Sequence, residues 1–137
     1  MKKKYLVVIL VVLAITLSIS VSFADYDYAE YHTGSVGGRS FVLRNGISND
    51  RRDAYAKTEG GTNTYNSVTA NFYFMNYSTH QSGAYLNYGR SGSITAQIDA
   101  PELSYMQNIK YYEVNSSHSG SYEGVSFSYS GLKTLID

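Results

Sequence analysis

The sequence has 137 residues, with eleven basic and eleven acidic side chains, one proline and no cysteine. The lack of cysteine excludes disulfide scaffolds, thiolate metal sites and cysteine nucleophiles, so packing and hydrogen bonds must hold the fold together. The length allows one small domain, and the charge balance argues against general nucleic-acid binding.

The first 24 residues have the three-part pattern of an export signal. Three lysines, Lys2–Lys4, precede an apolar run from Tyr5 to Leu17, and small residues lead to Ala24. We therefore predict a signal peptide at 1–24 and a single secreted, extracellular β domain at 25–137. Retention as a membrane anchor is the alternative, because this segment is about long enough to cross a bilayer. The remaining chain has eight basic and eleven acidic residues, a net charge of −3.

The region before residue 67 has a weaker hydrophobic periodicity. An Asn45-Gly46 dipeptide predicts a tight hairpin turn, since both residues tolerate left-handed backbone angles. Asp50 to Glu59 is compatible with a short helix. The same region also fits two strands, Ala54 to Thr58 and Thr62 to Tyr65, joined at a Gly-Gly turn. We favour the strands because the sequence that follows has the pattern of β structure.

The clearest strand runs from Ser67 to Tyr77, where apolar and polar side chains alternate strictly. A loop from Ser78 to Gly83 then leads into a second strand, and the two form a predicted hairpin. The alternation places on the inner face Val68, Ala70, Phe72, Phe74, Ala84, Leu86 and Tyr88. It places on the opposite face Tyr73, Tyr77 and Tyr85.

Further strands follow at short intervals. Ile94, Ala96 and Ile98 are predicted to point inward on a strand that ends near Pro101. Ser104 to Asn115 is strand-like with mixed faces, and a last strand carries Val125, Phe127 and Tyr129 inward. Six to eight short strands predict an all-β fold, a small antiparallel β-sandwich or a small barrel.

The sequence shows no arrangement typical of an enzyme or a metal site. The candidate bases are His32, His80 and His118, and we interpret the last two as polar residues of hairpin loops. No Gly-x-Ser-x-Gly motif accompanies the many serines. No two histidines have a spacing that places both on one face of an element. We expect no catalytic residue, no metal and no cofactor.

The candidate binding residues are Tyr73, Tyr77, Tyr85, Arg51 and Arg52. Tyrosines exposed on a rigid sheet provide a large contact area at a small cost in rotamer entropy. The two arginines lie in a basic segment from Arg39 to Lys57, which could meet an anionic partner. The alternatives are that a second sheet covers the tyrosines, and that the arginines form a solvated rim beside nearby acidic residues.

These features favour a secreted, non-enzymatic protein that binds an extracellular glycan or protein. The alternative hypothesis is a secreted antibacterial or membrane-acting toxin that uses amphipathic strands, because Ser67 to Tyr77 is long enough to span a bilayer as part of a hairpin. Membrane contact is expected only under that alternative.

Overall fold

A computed structural model describes residues 28–104 and 107–137, so the predicted signal peptide lies outside the described residues. This part of the chain contains no α-helix and eight strands. In chain order these are β1 (Tyr28–Val36), β2 (Arg39–Ile47), β3 (Ala54–Glu59), β4 (Thr64–Asn76), β5 (Gln81–Ser93), β6 (Thr95–Asp99), β7 (Ile109–Tyr122) and β8 (Val125–Leu135).

The strands form two antiparallel four-stranded sheets that pack face to face, which confirms the predicted β-sandwich. The first sheet has the order β1-β2-β3-β6, and the second has the order β5-β4-β7-β8. The chain completes three strands of the first sheet, forms the β4–β5 hairpin, returns for β6 and finishes with the β7–β8 hairpin. Edge strand β1 lies against β8, and edge strand β6 lies against β5.

Alternating side chains from both sheets fill the interior, as period-two patterning requires. A larger apolar cluster lies around Ile47, Val68, Phe72, Ile98, Tyr111 and Val114. A smaller one consists of Phe41, Leu43 and Leu132, with Phe127 and Tyr129 packed against it. The prediction that Val68, Ala70 and Phe72 point inward is confirmed, as is that for Ala96 and Ile98.

The uncertain region before residue 67 is extended. The preferred interpretation as extended structure is confirmed, because Ala54 to Glu59 forms β3, but the second predicted strand is the start of β4 and lies in the other sheet, so the two do not form a hairpin. The two strands are joined through Gly60 and Gly61, and the φ of +82° at Gly61 suits a glycine.

The predicted turn at Asn45-Gly46 is wrong, because both residues lie inside β2 and pair with β1 and β3. The Asn45 side chain is fully buried and hydrogen-bonded within the core. A Cβ on residue 46 would collide with the ring of Tyr55 on the neighbouring strand, so glycine lets that ring lie across β2. The actual β1–β2 turn is Gly37-Gly38, whose positive φ angles of 57° and 76° fit a two-residue hairpin.

The predicted orientation of Tyr85 and Leu86 is also wrong. Ala70 pairs with Tyr88 and Phe72 pairs with Tyr85, so β5 has one extra residue opposite Asn71. Asn87 has a positive φ of 60° in this bulge, and its backbone N–H donates to Asn71 Oδ1 at 2.8 Å. The bulge reverses the alternation, so Tyr85 packs against the core while Leu86 is 55% exposed.

Ile94 does not point inward as predicted but is 48% exposed. It joins β5 in the second sheet to β6 in the first, and its φ is 67°. Its N–H donates to the Thr64 carbonyl at 3.1 Å, and its own carbonyl accepts the Gly60 N–H at 2.9 Å. These two bonds hold the crossover against the β3–β4 turn and direct the side chain outward.

Candidate binding surface

The outer face of the second sheet carries tyrosines near the end where β4 finishes and β7 begins. Tyr73 follows the buried Phe72 and points away from the core, with its ring centroid 6.4 Å from that of Tyr112. A bulge in β7 inserts Tyr112 beside it, because Tyr73 pairs with Glu113 while Phe74 pairs with Tyr111. We call Tyr73 and Tyr112 the tyrosine pair.

The rest of this outer face is rich in hydroxyl groups. The β-ladder register aligns Ser67 on β4 with Ser119 on β7, and their Oγ atoms lie 3.0 Å apart. Rows on neighbouring strands are about 4.8 Å apart. The hydroxyl face consists of Ser67, Thr69, Ser91, Ser117, Ser119, Ser128 and Ser130. These side chains carry no charge and offer donors and acceptors in regular rows.

A cluster of two cations and one phenol stands at the end of the same sheet. Tyr77 follows the last residue of β4 and is 36% exposed. Arg51 Nη1 donates to Tyr77 Oη at 2.9 Å, and the guanidinium carbon is 5.8 Å from the ring centroid. Lys110 Nζ lies 6.0 Å from the same centroid. We call Arg51, Tyr77 and Lys110 the cation–tyrosine cluster.

Three separate segments position this cluster through backbone hydrogen bonds. Arg51 lies between β2 and β3, where its N–H donates to the Ser48 carbonyl at 2.9 Å. Its carbonyl accepts the N–H of Tyr111 on β7 at 2.7 Å. The Tyr77 N–H donates to the Asn108 carbonyl at 3.0 Å, which fixes the β4–β5 turn against the start of β7. The main chain, rather than side-chain contacts alone, therefore sets the geometry of the cluster.

The acidic group next to Arg51 in sequence has other partners. Asp50 Oδ1 accepts the Ser48 hydroxyl at 2.7 Å and the Arg52 N–H at 3.2 Å. The Ser48 hydrogen bond lowers the pKa of Asp50, and the backbone and charge of Arg52 lower it further. Within residues 28–104 and 107–137, neither Arg51 nor Lys110 forms a salt bridge.

The structure brings together some of the predicted binding residues and separates others. Tyr73 and Tyr77 share the outer end of β4, and Arg51 contacts Tyr77 directly. Tyr85 lies on the inner side with Phe74, at 5.1 Å between ring centroids. Arg52 is only 9% exposed, and its Nε lies 3.8 Å from Asp50 Oδ2. Tyr85 and Arg52 are therefore outside the surface that the other three residues form.

The remaining basic residues of the predicted segment are dispersed. Arg39 lies over the Tyr122 ring at 4.9 Å. Arg44 and Lys57 are neighbours in the β2–β3 ladder of the first sheet, and Lys57 Nζ is 2.7 Å from Glu59 Oε2. One continuous basic patch does not form from this segment.

Lys110 and Tyr112 also belong to this surface but were not among the predicted binding residues. They are two residues apart in a segment predicted to be strand-like, and this spacing suggests a shared face. Their closeness to Tyr73 and Tyr77 depends on the pairing of β4 with β7, which the sequence alone does not reveal.

A second notable arrangement lies inside the sandwich. His118 is not in a loop, as predicted, but in β7, where it is only 2% exposed. Its Nδ1 is 2.8 Å from Thr58 Oγ1, and its Nε2 is 2.6 Å from Ser116 Oγ. Ser116 Oγ donates in turn to Asn45 Oδ1 at 2.6 Å. We call Thr58, His118, Ser116 and Asn45 the buried polar chain.

The buried polar chain contains a serine beside a histidine, the pair used in nucleophilic catalysis. Ser116 is also 2% exposed, so a substrate in solution does not reach its hydroxyl in this fold. We therefore assign the chain to the joining of the two sheets. In the part of the protein that the structure describes, no three His, Asp or Glu side chains are grouped to hold a metal ion.

The sequence matches no protein-family model and no curated protein. Among residues 28–104 and 107–137, no helix has the length and apolar character needed to cross a membrane.

Proposed function

We propose that this protein is a secreted, non-enzymatic binding protein that engages an extracellular glycan through the outer face of the second sheet. The observation that carries the proposal is the tyrosine pair beside the hydroxyl face on one rigid surface. Aromatic rings provide apolar area with a polar end. Rows of hydroxyl groups exchange hydrogen bonds with the hydroxyls of a sugar chain.

Two further features support a glycan as the partner. The hydroxyl face itself is uncharged, and the charged residues beside it, Lys133 and Glu113, are joined by a salt bridge of 3.2 Å, which suits the hydroxyls of a sugar chain better than a charged protein surface. Strand β4 is also paired with β5 and with β7 along most of its length, with one bulge in each ladder, so the surface is held in place before a ligand arrives. A preorganised surface loses less entropy on binding.

The membrane-acting alternative has less support. The apolar side chains of β4, among them Val68 and Phe72, are buried between the sheets. Contact with lipid through that face would require the sandwich to open, with loss of its core.

Binding to immobilised neutral polysaccharides, such as dextran and mannan, tests the proposal. We expect the double variant Tyr73→Ala/Tyr112→Ala to bind about tenfold more weakly or worse, since each ring contributes contact area. Tyr31→Ala is the matched control, because Tyr31 is 73% exposed on the first sheet. Equal binding by the wild type and a folded double variant would refute this surface.

A further inference from the structure

The cation–tyrosine cluster has the composition of an oxyanion site. Arg51 and Lys110 lie 5.8 and 6.0 Å from the centroid of one ring, so the two cations are no more than about 12 Å apart. This upper limit exceeds the screening length of about 8 Å in physiological salt, so the two cations repel each other most strongly at low salt. Neither forms a salt bridge within the described residues. An anion placed between them would relieve this repulsion.

The hydrogen-bonding groups of the cluster select for oxygen acceptors. Tyr77 Oη accepts a hydrogen from Arg51, so the phenol keeps its own hydrogen for donation. The guanidinium has five N–H donors in a fixed plane, and this bond occupies one of them. The Lys110 ammonium adds three donors. Phosphate and carboxylate oxygens match such a set, and arginine binds both in a bidentate manner.

Arg51 also has an unusual backbone conformation. Its φ is 61°, a left-handed angle that is unfavourable for a residue with a Cβ. The Ser48 and Tyr111 backbone hydrogen bonds hold it there. From this position the guanidinium donates a hydrogen bond to Tyr77 Oη.

The cluster adjoins the proposed glycan surface. Tyr73 and Tyr77 are four residues apart, which corresponds to about 13 Å of extended chain. A ligand longer than one sugar ring can therefore contact the tyrosine pair and the cation–tyrosine cluster together. We propose that the ligand is an anionic glycan, whose phosphate or carboxylate group binds among Arg51, Tyr77 and Lys110. This inference rests on the proposed function for the sugar part of the ligand.

Titration calorimetry of the purified protein with three polymers tests the inference. The probes are poly(glycerol phosphate), polygalacturonate and neutral dextran, each at 50 and 150 mM salt. We expect one polyanion to bind about tenfold more tightly than dextran, with a preference that weakens as salt rises. Comparison of the two polyanions identifies phosphate or carboxylate as the favoured group.

Arg51→Gln and Lys110→Gln should each reduce the affinity for that polyanion about fivefold to tenfold and reduce the affinity for dextran by a clearly smaller factor. Arg39→Gln is the matched control, because Arg39 also lies over a tyrosine ring, at 4.9 Å from Tyr122. Equal losses in Arg39→Gln and Arg51→Gln would indicate diffuse attraction and overturn the site. A polyanion bound no more tightly than dextran would overturn it as well.

The same experiment separates this inference from the proposed function. If Tyr73→Ala/Tyr112→Ala weakens binding while Arg51→Gln does not, the anion site is wrong and the glycan surface stands. The reverse result refutes the glycan surface and keeps the anion site. If no polymer binds, the anion site is tested by titrating inorganic phosphate into the protein and monitoring the Arg51 and Tyr77 side chains by NMR. Resonances that do not shift at millimolar phosphate would overturn the site.

Discussion

His118 is buried between the sheets, where its ring has hydrogen-bonding partners on both sides. Thr58 Oγ1 donates to the Ser67 carbonyl at 3.0 Å, so it accepts from His118 Nδ1. Ser116 Oγ donates its one hydrogen to Asn45 Oδ1, so it would accept from His118 Nε2 only if the ring carried a proton on both nitrogens, and burial opposes that charge. At the other end, Asn45 Nδ2 donates to the Leu132 carbonyl at 2.7 Å. The buried polar chain therefore links β3, β7, β2 and β8.

The protonation of His118 makes stability depend on pH. Burial lowers the pKa of His118 from 6.5 to about 4 in the folded protein. As the pH falls through 6.5, the unfolded chain takes up this proton before the folded protein does. The folded state therefore becomes less stable relative to the unfolded state until the pH reaches about 4. We expect the free energy of unfolding to fall by about 2 kcal/mol between pH 7 and pH 5, as measured by urea denaturation.

His118→Gln is the control for this effect, since glutamine has no titratable group. The variant should be less stable than the wild type at pH 7 and change less between pH 7 and pH 5. The same pH dependence in the wild type and in His118→Gln would assign the proton uptake to another group.

At the scale of the strand, β4 has bulged partners on both sides. The extra residue in β5 reverses the direction of Tyr85, and the extra residue in β7 adds Tyr112 to the outer face. The alternation of apolar and polar residues predicted β4 correctly, because buried and outward side chains alternate along this strand as far as Phe72. The same alternation gave the wrong orientations in β5, because the bulge inserts one residue and shifts every side chain beyond it to the other face. An asparagine such as Asn87 does not by itself identify a bulge in the sequence.

The bulge in β5 predicts opposite effects for two adjacent side chains. Tyr85→Ala should lower the free energy of unfolding by about 2 kcal/mol, because the ring packs against Phe74 and the core. Leu86→Ala should change it by less than about 0.5 kcal/mol, because Leu86 is 55% exposed. Chemical denaturation of the two variants measures both values. If Leu86→Ala lowered the free energy of unfolding more than Tyr85→Ala does, the bulge would be wrong and β5 would alternate without interruption.

At the scale of the whole molecule, the sandwich contains two apolar clusters with the buried polar chain beside them. Asn45 lies on β2 between Leu43 of the smaller cluster and Ile47 of the larger one. Asn45 accepts a hydrogen bond from Ser116 on β7 and donates one to the Leu132 carbonyl on β8, both in the opposite sheet. We expect the two clusters to unfold together, as small single domains usually do.

Leu43→Ala and Ile47→Ala are a matched pair for this prediction, because both side chains are fully buried on β2. Each should lower the free energy of unfolding by about 2 to 4 kcal/mol. Far-UV circular dichroism and tyrosine fluorescence should give coincident curves for both variants. Two separate transitions in either variant would show that the clusters unfold independently.

The sequence predicted the architecture better than the binding surface. Apolar alternation requires one buried face for each strand, and this leads to two packed sheets. The surface depends on which strands become neighbours, so the approach of Lys110 to Tyr77 and of Tyr112 to Tyr73 was not predictable. The Asn45-Gly46 dipeptide gives a second example. Asn45 is needed for a hydrogen bond in the core, and Gly46 is needed because the Tyr55 ring lies against it, so neither residue forms a turn.

The cation–tyrosine cluster is built where two connecting segments meet the first residues of β7, and none of its three side chains belongs to either apolar cluster. Its side chains can therefore be replaced without removing interior packing. A library that varies residues 51, 77 and 110 while keeping their backbone hydrogen bonds would sample new ligand preferences on an unchanged scaffold. The same sandwich can therefore support different ligand preferences through changes at these three positions.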